Sequence, residues 1–247
     1  MLKKILKRWR WIVAGLVALL IATLLTCWLL FQHRPAWYQP VQIPPDKDIQ
    51  QRVRDDLEWT FQALNETLNA AQKPFQFRIT QNQVNAWLAG WDLIDPRSRQ
   101  MIPPQFTEPM VVFEADGVRV AATYTFGEKG NLRTIVSAKL KVEADAQGVT
   151  VRLDDISGGS LSLPRTAVRE GLKSLGGRLS AELARAGVST PRGSRPRLTD
   201  LLEGITIPNT GKWPGGGQRF RIIGVAFEPG ALVLTIERLR HQERSRR

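Results

Sequence analysis

Residues 110–126, MVVFEADGVRVAATYTF, and 132–142, LRTIVSAKLKV, decide the fold class. From Met110 the apolar positions recur with period two. Val118, Val120, Ala122, Tyr124 and Phe126 share one face, and Ala115-Asp116-Gly117 supplies a turn. Leu132, Thr134, Val136, Ala138, Leu140 and Val142 then alternate with Arg133, Ser137, Lys139, Lys141 and Glu143. Ala146-Gln147-Gly148 turns again before Val149, Val151 and Leu153. Alternating strands joined by tight turns predict an antiparallel meander with one buried face.

Upstream, the period changes. Ile49, Val53, Leu57, Phe61, Leu64, Leu68 and Ala71 recur every third or fourth residue, which predicts a long helix over 46–72 with Asp46 as N-cap. Lys73-Pro74 ends it, and Phe75 to Ile79 follows as a short strand. Thr80 with Gln83 three residues later is a capping box opening a second helix through Trp87 to about Trp91. Asp92 to Pro109 reads as a proline-bearing loop.

Downstream, Ser157-Gly158-Gly159-Ser160 leads to Leu161-Ser162-Leu163-Pro164. Pro164 opens a helix with the stripe Val168, Leu172, Leu175, Leu179 and Leu183, interrupted by Gly176-Gly177. Leu198 to Glu203 reads as a turn or two of helix. A hairpin, 220–227 and 231–239 about Glu228-Pro229-Gly230, closes the domain. Its first strand carries apolar residues on both faces, as expected of a strand covered twice or one that lines an apolar cavity.

Trp11 to Phe31 has no ionisable side chain apart from Cys27. As a helix it is long enough to cross a hydrocarbon core of roughly 30 Å. Lys3, Lys4, Lys7, Arg8 and Arg10 precede it, which places residues 1–10 in the cytoplasm and everything after Phe31 outside. A secretory signal has a shorter apolar region and a small-residue cleavage site, so the stretch reads as an uncleaved anchor in the cytoplasmic (inner) membrane. Trp11, Leu16, Leu20, Leu25, Trp28 and Phe31 are its lipid-facing or interfacial candidates. Residues 32–45, with Pro35, Pro40, Pro44 and Pro45, read as a stiff extended spacer. An extracytoplasmic domain, 46–240, and a basic tail, 241–247, complete the organisation.

The formal net charge is +12. Beyond Arg10 that excess faces away from the cytoplasm, where lipid headgroups and wall polymers, not nucleic acid, are the anions. Cys27 is the only cysteine, which excludes a disulfide, a catalytic thiol in the domain and a cysteine-ligated metal. His33 and His241 are the only histidines, and neither is expected to sit next to a candidate nucleophile. Ser160 lacks the second outer glycine of a nucleophile elbow. Asp55-Asp56 and Asp154-Asp155 read as a solvated helix face and a strand end, not as a convergent acid/base pair. No catalytic set, cofactor site or metal site is expected. Arg165, Arg169, Lys173 and Arg178 form a basic stripe on the third predicted helix. It is either a contact for an anionic surface or the solvated side of a helix covering the sheet.

Three segments resemble the signatures of the YpmS-like family of uncharacterised, membrane-anchored bacterial proteins. Thr80-Gln81-Asn82-Gln83-Val84-Asn85 resembles its Gln-hydrophobic-Asn helix start. Gly159-Ser160-Leu161-Ser162-Leu163-Pro164 resembles its Gly-x-Leu-x-Leu/Ile-Pro segment, and the Ile223 to Ile236 hairpin falls where its own falls. The long first helix and the glycine-interrupted basic helix depart from that pattern. The resemblance implies an architecture and little mechanism. It makes Gln83, Asn85, Trp87, Leu161, Leu163 and Pro164 candidates for ligand contact beside their structural roles.

The expected fold is α+β, with a single membrane-spanning helix followed by one curved antiparallel sheet of about five to seven strands packed on two or three helices. The expected function is a non-enzymatic envelope protein that binds a lipid or another apolar ligand. The alternative is an assembly partner of another membrane protein through its helical face.

Overall fold

The computed structural model describes residues 2–44, 46–90, 103–126, 132–145, 148–173, 197–212 and 218–239, the first ten of these as backbone only. Helix α1 (Leu2–Gln32) precedes α2 (Lys47–Ala70), β1 (Phe75–Thr80), α3 (Gln81–Ala89), β2 (Phe106–Glu114), β3 (Gly117–Phe126) and β4 (Leu132–Ala144). Then come β5 (Val149–Gly158), β6 (Leu161–Ser162), a helical segment α4 (165–173) and a 3-10 turn at Leu198–Leu202. Strands β7 (Ile205–Ile207), β8 (Thr210–Lys212), β9 (Arg219–Glu228) and β10 (Ala231–Leu239) complete the chain. Residues 12–32 form a helix long and apolar enough to cross a membrane.

The architecture is α+β, but the strands form two antiparallel sheets rather than the single sheet expected. One runs β1-β10-β9-β8; the other runs β2-β3-β4-β5-β6, with β7 also paired to β5. The closing hairpin pairs back to β1 near the start of the domain (Phe75↔Ile236 to Thr80↔Ala231), so it does not extend the meander. Leu64 and Leu68 of α2 pack with Ile236, Phe75, Phe77, Phe220 and Leu234 on one face of this sheet. Phe61, expected in the same stripe, is 49% exposed.

The two-sided apolar strand has a local cause. Ile222 pairs with Ile236 and Gly224 with Thr235, so Ile223 is an extra residue at a bulge. The bulge reverses the alternation. Phe220 and Ile222 before it share a face with Val225 and Phe227 after it, and Ile223 is left 40% exposed. The two-faced appearance of the strand therefore comes from the bulge, and among the described residues Ile223 stands on its exposed side.

A second correction concerns the meander's buried face. Val120 and Phe126, expected inside, are 39% and 36% exposed, whereas Ala121 and Thr123 between them are buried. Tyr38 is the reason. It is buried against Met110, Ala121 and Ile135, and its hydroxyl donates to the Glu108 carbonyl at 2.6 Å. The proline-bearing segment is therefore packed onto the sheet through Tyr38 and Trp37 and does not hang free. Strand β2 also starts at Phe106, four residues before the period-two pattern begins. Pro109 is accommodated because the pairing is irregular between Thr107 and Met110, with Glu108 at φ 53°.

The sheets are joined at α3. Asp46 and Thr80 cap α2 and α3 as expected, and Gln83 returns the reciprocal bond to Thr80 N. The next turns of α3 bond to another element. Asn85 Nδ2 donates to Val111 O at 2.9 Å, and Val111 N donates to Asn85 Oδ1 at 2.7 Å. Phe113 N donates to Gln81 Oε1 at 2.9 Å. Positions 81 and 85 lie on one helical face, and together they satisfy the free edge of β2 as a neighbouring strand would.

Removing the Asn85 amide leaves a buried N–H and C=O of Val111 without partners. Asn85→Ala is expected to lower unfolding stability by about 2–3 kcal/mol. Asn82→Ala, on the exposed side of the same turn, should change it by less than about 0.5 kcal/mol. Urea titration of the full chain in detergent micelles, followed by near-UV circular dichroism, measures both.

Candidate functional site

The most developed constellation lies where α1 meets the six-stranded sheet. Side chains from residue 12 to residue 30 are exposed apart from Cys27, and Leu16, Leu20, Leu25 and Trp28 are 46–62% exposed. Phe31 departs from this pattern. It packs against the hairpin turn between β5 and β6, where a Cβ at Gly158 would lie 2.4 Å from the Phe31 ring. A Cβ at Gly159 would lie 2.4 Å from both the Leu30 and Phe31 carbonyl oxygens. Gly159 has φ +60°, which suits glycine at the first of two turn residues. The local sequence thus does two things: it makes a tight turn, and it removes the side chains that would hold a helix end away.

The last carbonyls of a helix have no partner within it. Here the domain supplies partners. Ser160 N donates to Leu30 O at 2.9 Å, and the Thr134 hydroxyl donates to Phe31 O. His33 Nδ1 lies 2.7 Å from Ser160 Oγ. This corrects the expectation that no histidine lies near a nucleophile. The pair nevertheless has the character of a clasp. The Gly159 amide is bonded to Ile135 O and the Ser160 amide to Leu30 O, so these two donors are occupied and do not form an oxyanion hole.

Trp37 and Tyr38 form a second clasp. The Arg119 guanidinium lies 5.4 Å from the Trp37 ring centre. Arg119 also pairs with Glu114 at 2.7 Å, and Lys139 bridges Glu114 and Asp116 at 2.9 Å each. Partial burial pushes the Glu114 carboxyl up, but hydrogen bonds and charge from Arg119 and Lys139 outweigh it and hold the group below its usual range. The Lys139 ammonium is raised by its bonds to Asp116 and Glu114. Burial raises the Tyr38 hydroxyl.

The other sequence-predicted residues divide clearly. Gln83 is a helix cap and Asn85 an edge-strand partner, so their bonds are structural. Trp87 Nε1 donates to Asp56 at 3.3 Å and its ring stacks on Phe61. Leu161 pairs with Gly158 in the hairpin, Leu163 N donates to Ile156 O, and Pro164 immediately precedes α4, its carbonyl accepting from the N–H of the buried Val168. Arg165, Arg169 and Lys173 are exposed on α4, with Lys173 bonded to Glu170 at 2.6 Å. Arg178, Gly176-Gly177, His241 and the basic tail lie outside the described residues, as does Trp11 as a side chain. The aspartate pairs do not converge: Asp154 pairs with Lys141, while Asp155 accepts from Ser162. Among the described residues no three His, Cys, Asp or Glu side chains are grouped to hold a metal ion.

Gln81, Tyr38 and Thr134 are the important residues that sequence reading did not single out. Only Gln81 left a signal, its spacing of four from Asn85. Comparison with family models, curated proteins and solved structures finds no match to this chain.

Gly159→Ala is expected to unseat α1. Amide hydrogen exchange at Ser160 should accelerate by about tenfold or more, the equivalent of about 1.4 kcal/mol. Gly171→Ala on α4, where a Cβ meets nothing within 4 Å, should leave it unchanged.

The Glu114 cluster sets a pH dependence. A carboxylate held below its unfolded value of about 4.5 contributes stability above that pH and loses it as pH falls through the folded value. Lys139, raised above 10.5, contributes below that pH and loses its share as pH rises through its folded value. The stability gap between the native chain and Glu114→Gln should therefore be widest between about pH 6 and 9 and narrow as pH falls below about 4.5. Urea midpoints across that range test it.

Proposed function

We propose that this chain is a non-enzymatic, single-pass protein of the cytoplasmic (inner) membrane in a bacterial cell envelope. Its amino-terminal arm lies in the cytoplasm and its α+β domain outside, holding a lipid or another apolar ligand beside the bilayer. The seating of Phe31 in the Gly158-Gly159 turn carries this reading. An apolar span whose terminal carbonyls are capped by its own domain keeps that domain against the membrane surface. The exposed cations Arg165 and Arg169 follow the same hairpin and suit anionic headgroups. The occupied amides around Ser160 support a role without bond-making chemistry. The resemblance to the YpmS-like family fits this arrangement and is part of the proposal.

One observation favours the assembly alternative. Trp59, on the side of α2 away from the buried Leu57, Leu64 and Leu68, is 69% exposed, and aromatic residues of this size are common anchors of protein interfaces.

Extraction of the full chain with its lipid annulus into polymer nanodiscs separates the two. Mass spectrometry is expected to find one lipid class enriched over the bulk membrane, and the enrichment should fall on changing Arg165, Arg169 and Lys173 to alanine. A bulk composition unaffected by those changes, with photo-cross-links from position 59 to one protein, would favour the assembly partner.

A further inference from the structure

A row of rings leads away from the end of α1. Phe31 lies 5.9 Å from Phe126, Phe126 4.6 Å from Tyr124, and Tyr124 4.9 Å from Phe106 between ring centres. Phe126 and Tyr124 share a face of β3, and Phe106 pairs with Tyr124 across β2. This is the face that Tyr38 does not cover, and Phe126 is 36% exposed on it.

We propose that the Phe106–Tyr124–Phe126 row is a shallow membrane-contacting edge, lying in the headgroup region of the same bilayer that α1 crosses. The inference rests on the reading of α1 as a membrane span and adds the orientation of the domain. The row is continuous with that span, because Phe31 belongs to both. Its height is fixed, because the β5–β6 turn and Thr134 bond the carbonyls of Leu30 and Phe31. A ring in contact with Phe31 therefore sits at the level where the apolar span ends. Its chemistry suits that level: aromatic side chains concentrate at the boundary between hydrocarbon and water, and Tyr124 adds a hydroxyl able to meet the polar side.

Since Cys27 is the only cysteine, Cys27→Ser gives a thiol-free chain in which one position at a time can be labelled. Bimane is attached at Phe126→Cys, at Leu20→Cys within the span and at Trp59→Cys on α2, in full chain reconstituted in phosphatidylcholine–phosphatidylglycerol vesicles. Quenching is read with lipids carrying a nitroxide either near the headgroup or deep in the acyl chain, the latter for position 20, and with water-soluble iodide. The expected result is about twofold or greater lipid quenching at 126 than at 59, with iodide in the reverse order, and deep quenching at 20. Quenching at 126 no greater than at 59, with position 20 still quenched, overturns the membrane-contacting edge and leaves the span intact. Loss of quenching at 20 overturns both. Tyr124→Cys gives the same reading if the label at 126 prevents folding.

Discussion

Two side-chain amides hold this architecture together. Gln81 and Asn85, one helical turn apart on α3, bond the backbone of Val111 and Phe113 at the edge of β2. An unpaired strand edge attracts other strands, and a buried unpaired amide costs more than a hydrogen bond returns. Amides are suited to the task because each carries both a donor and an acceptor, which lets Asn85 serve the N–H and C=O of one residue. The same helix follows directly from β1, the edge of the other sheet, and Gln81 N donates to Gly230 O in the closing hairpin. One nine-residue helix thus fixes the mutual position of two sheets that share no hydrogen-bonded strand pair in their ordering. Phe113 and Phe227 then meet across the gap, 6.1 Å between ring centres.

The second organising contact is the capped end of α1. Flexible linkers between a span and a domain leave orientation free. Here the last carbonyls of the helix, Phe31 and His33 are held by one hairpin and one strand end, and Tyr38 is buried five residues further on. On the proposed topology, helix and domain behave as one body.

Local signals were read well from sequence. The caps at Asp46 and Thr80, the closing hairpin and the antiparallel meander depend on neighbours within a few residues, so the chain displays them directly. Long-range signals were not. The burial of Ala121 and Thr123 instead of Val120 is imposed by Tyr38, more than 80 residues upstream. Nothing in the alternation of β3 reports it. The bulge at Ile223 hid the register of β9, because an inserted residue turns a one-faced pattern into an apparently two-faced one. Strands β7 and β8, three residues each, are too short to show a period. At the candidate site, the hairpin sequence was legible as a turn. That its glycines receive Phe31, and that His33 reaches Ser160, required two segments 127 residues apart to be placed together.

That separation has a consequence for synthesis. Phe31, His33 and Tyr38 emerge from the ribosome early, yet Thr123, Thr134 and Ser160 are made much later. Until the β5–β6 turn exists, the carboxyl end of the first helix lacks the donor that later caps the Leu30 carbonyl. The nascent protein therefore passes through a stage in which its first helix is placed but its orientation is unset, and the sixth strand acts as the latch that ends it.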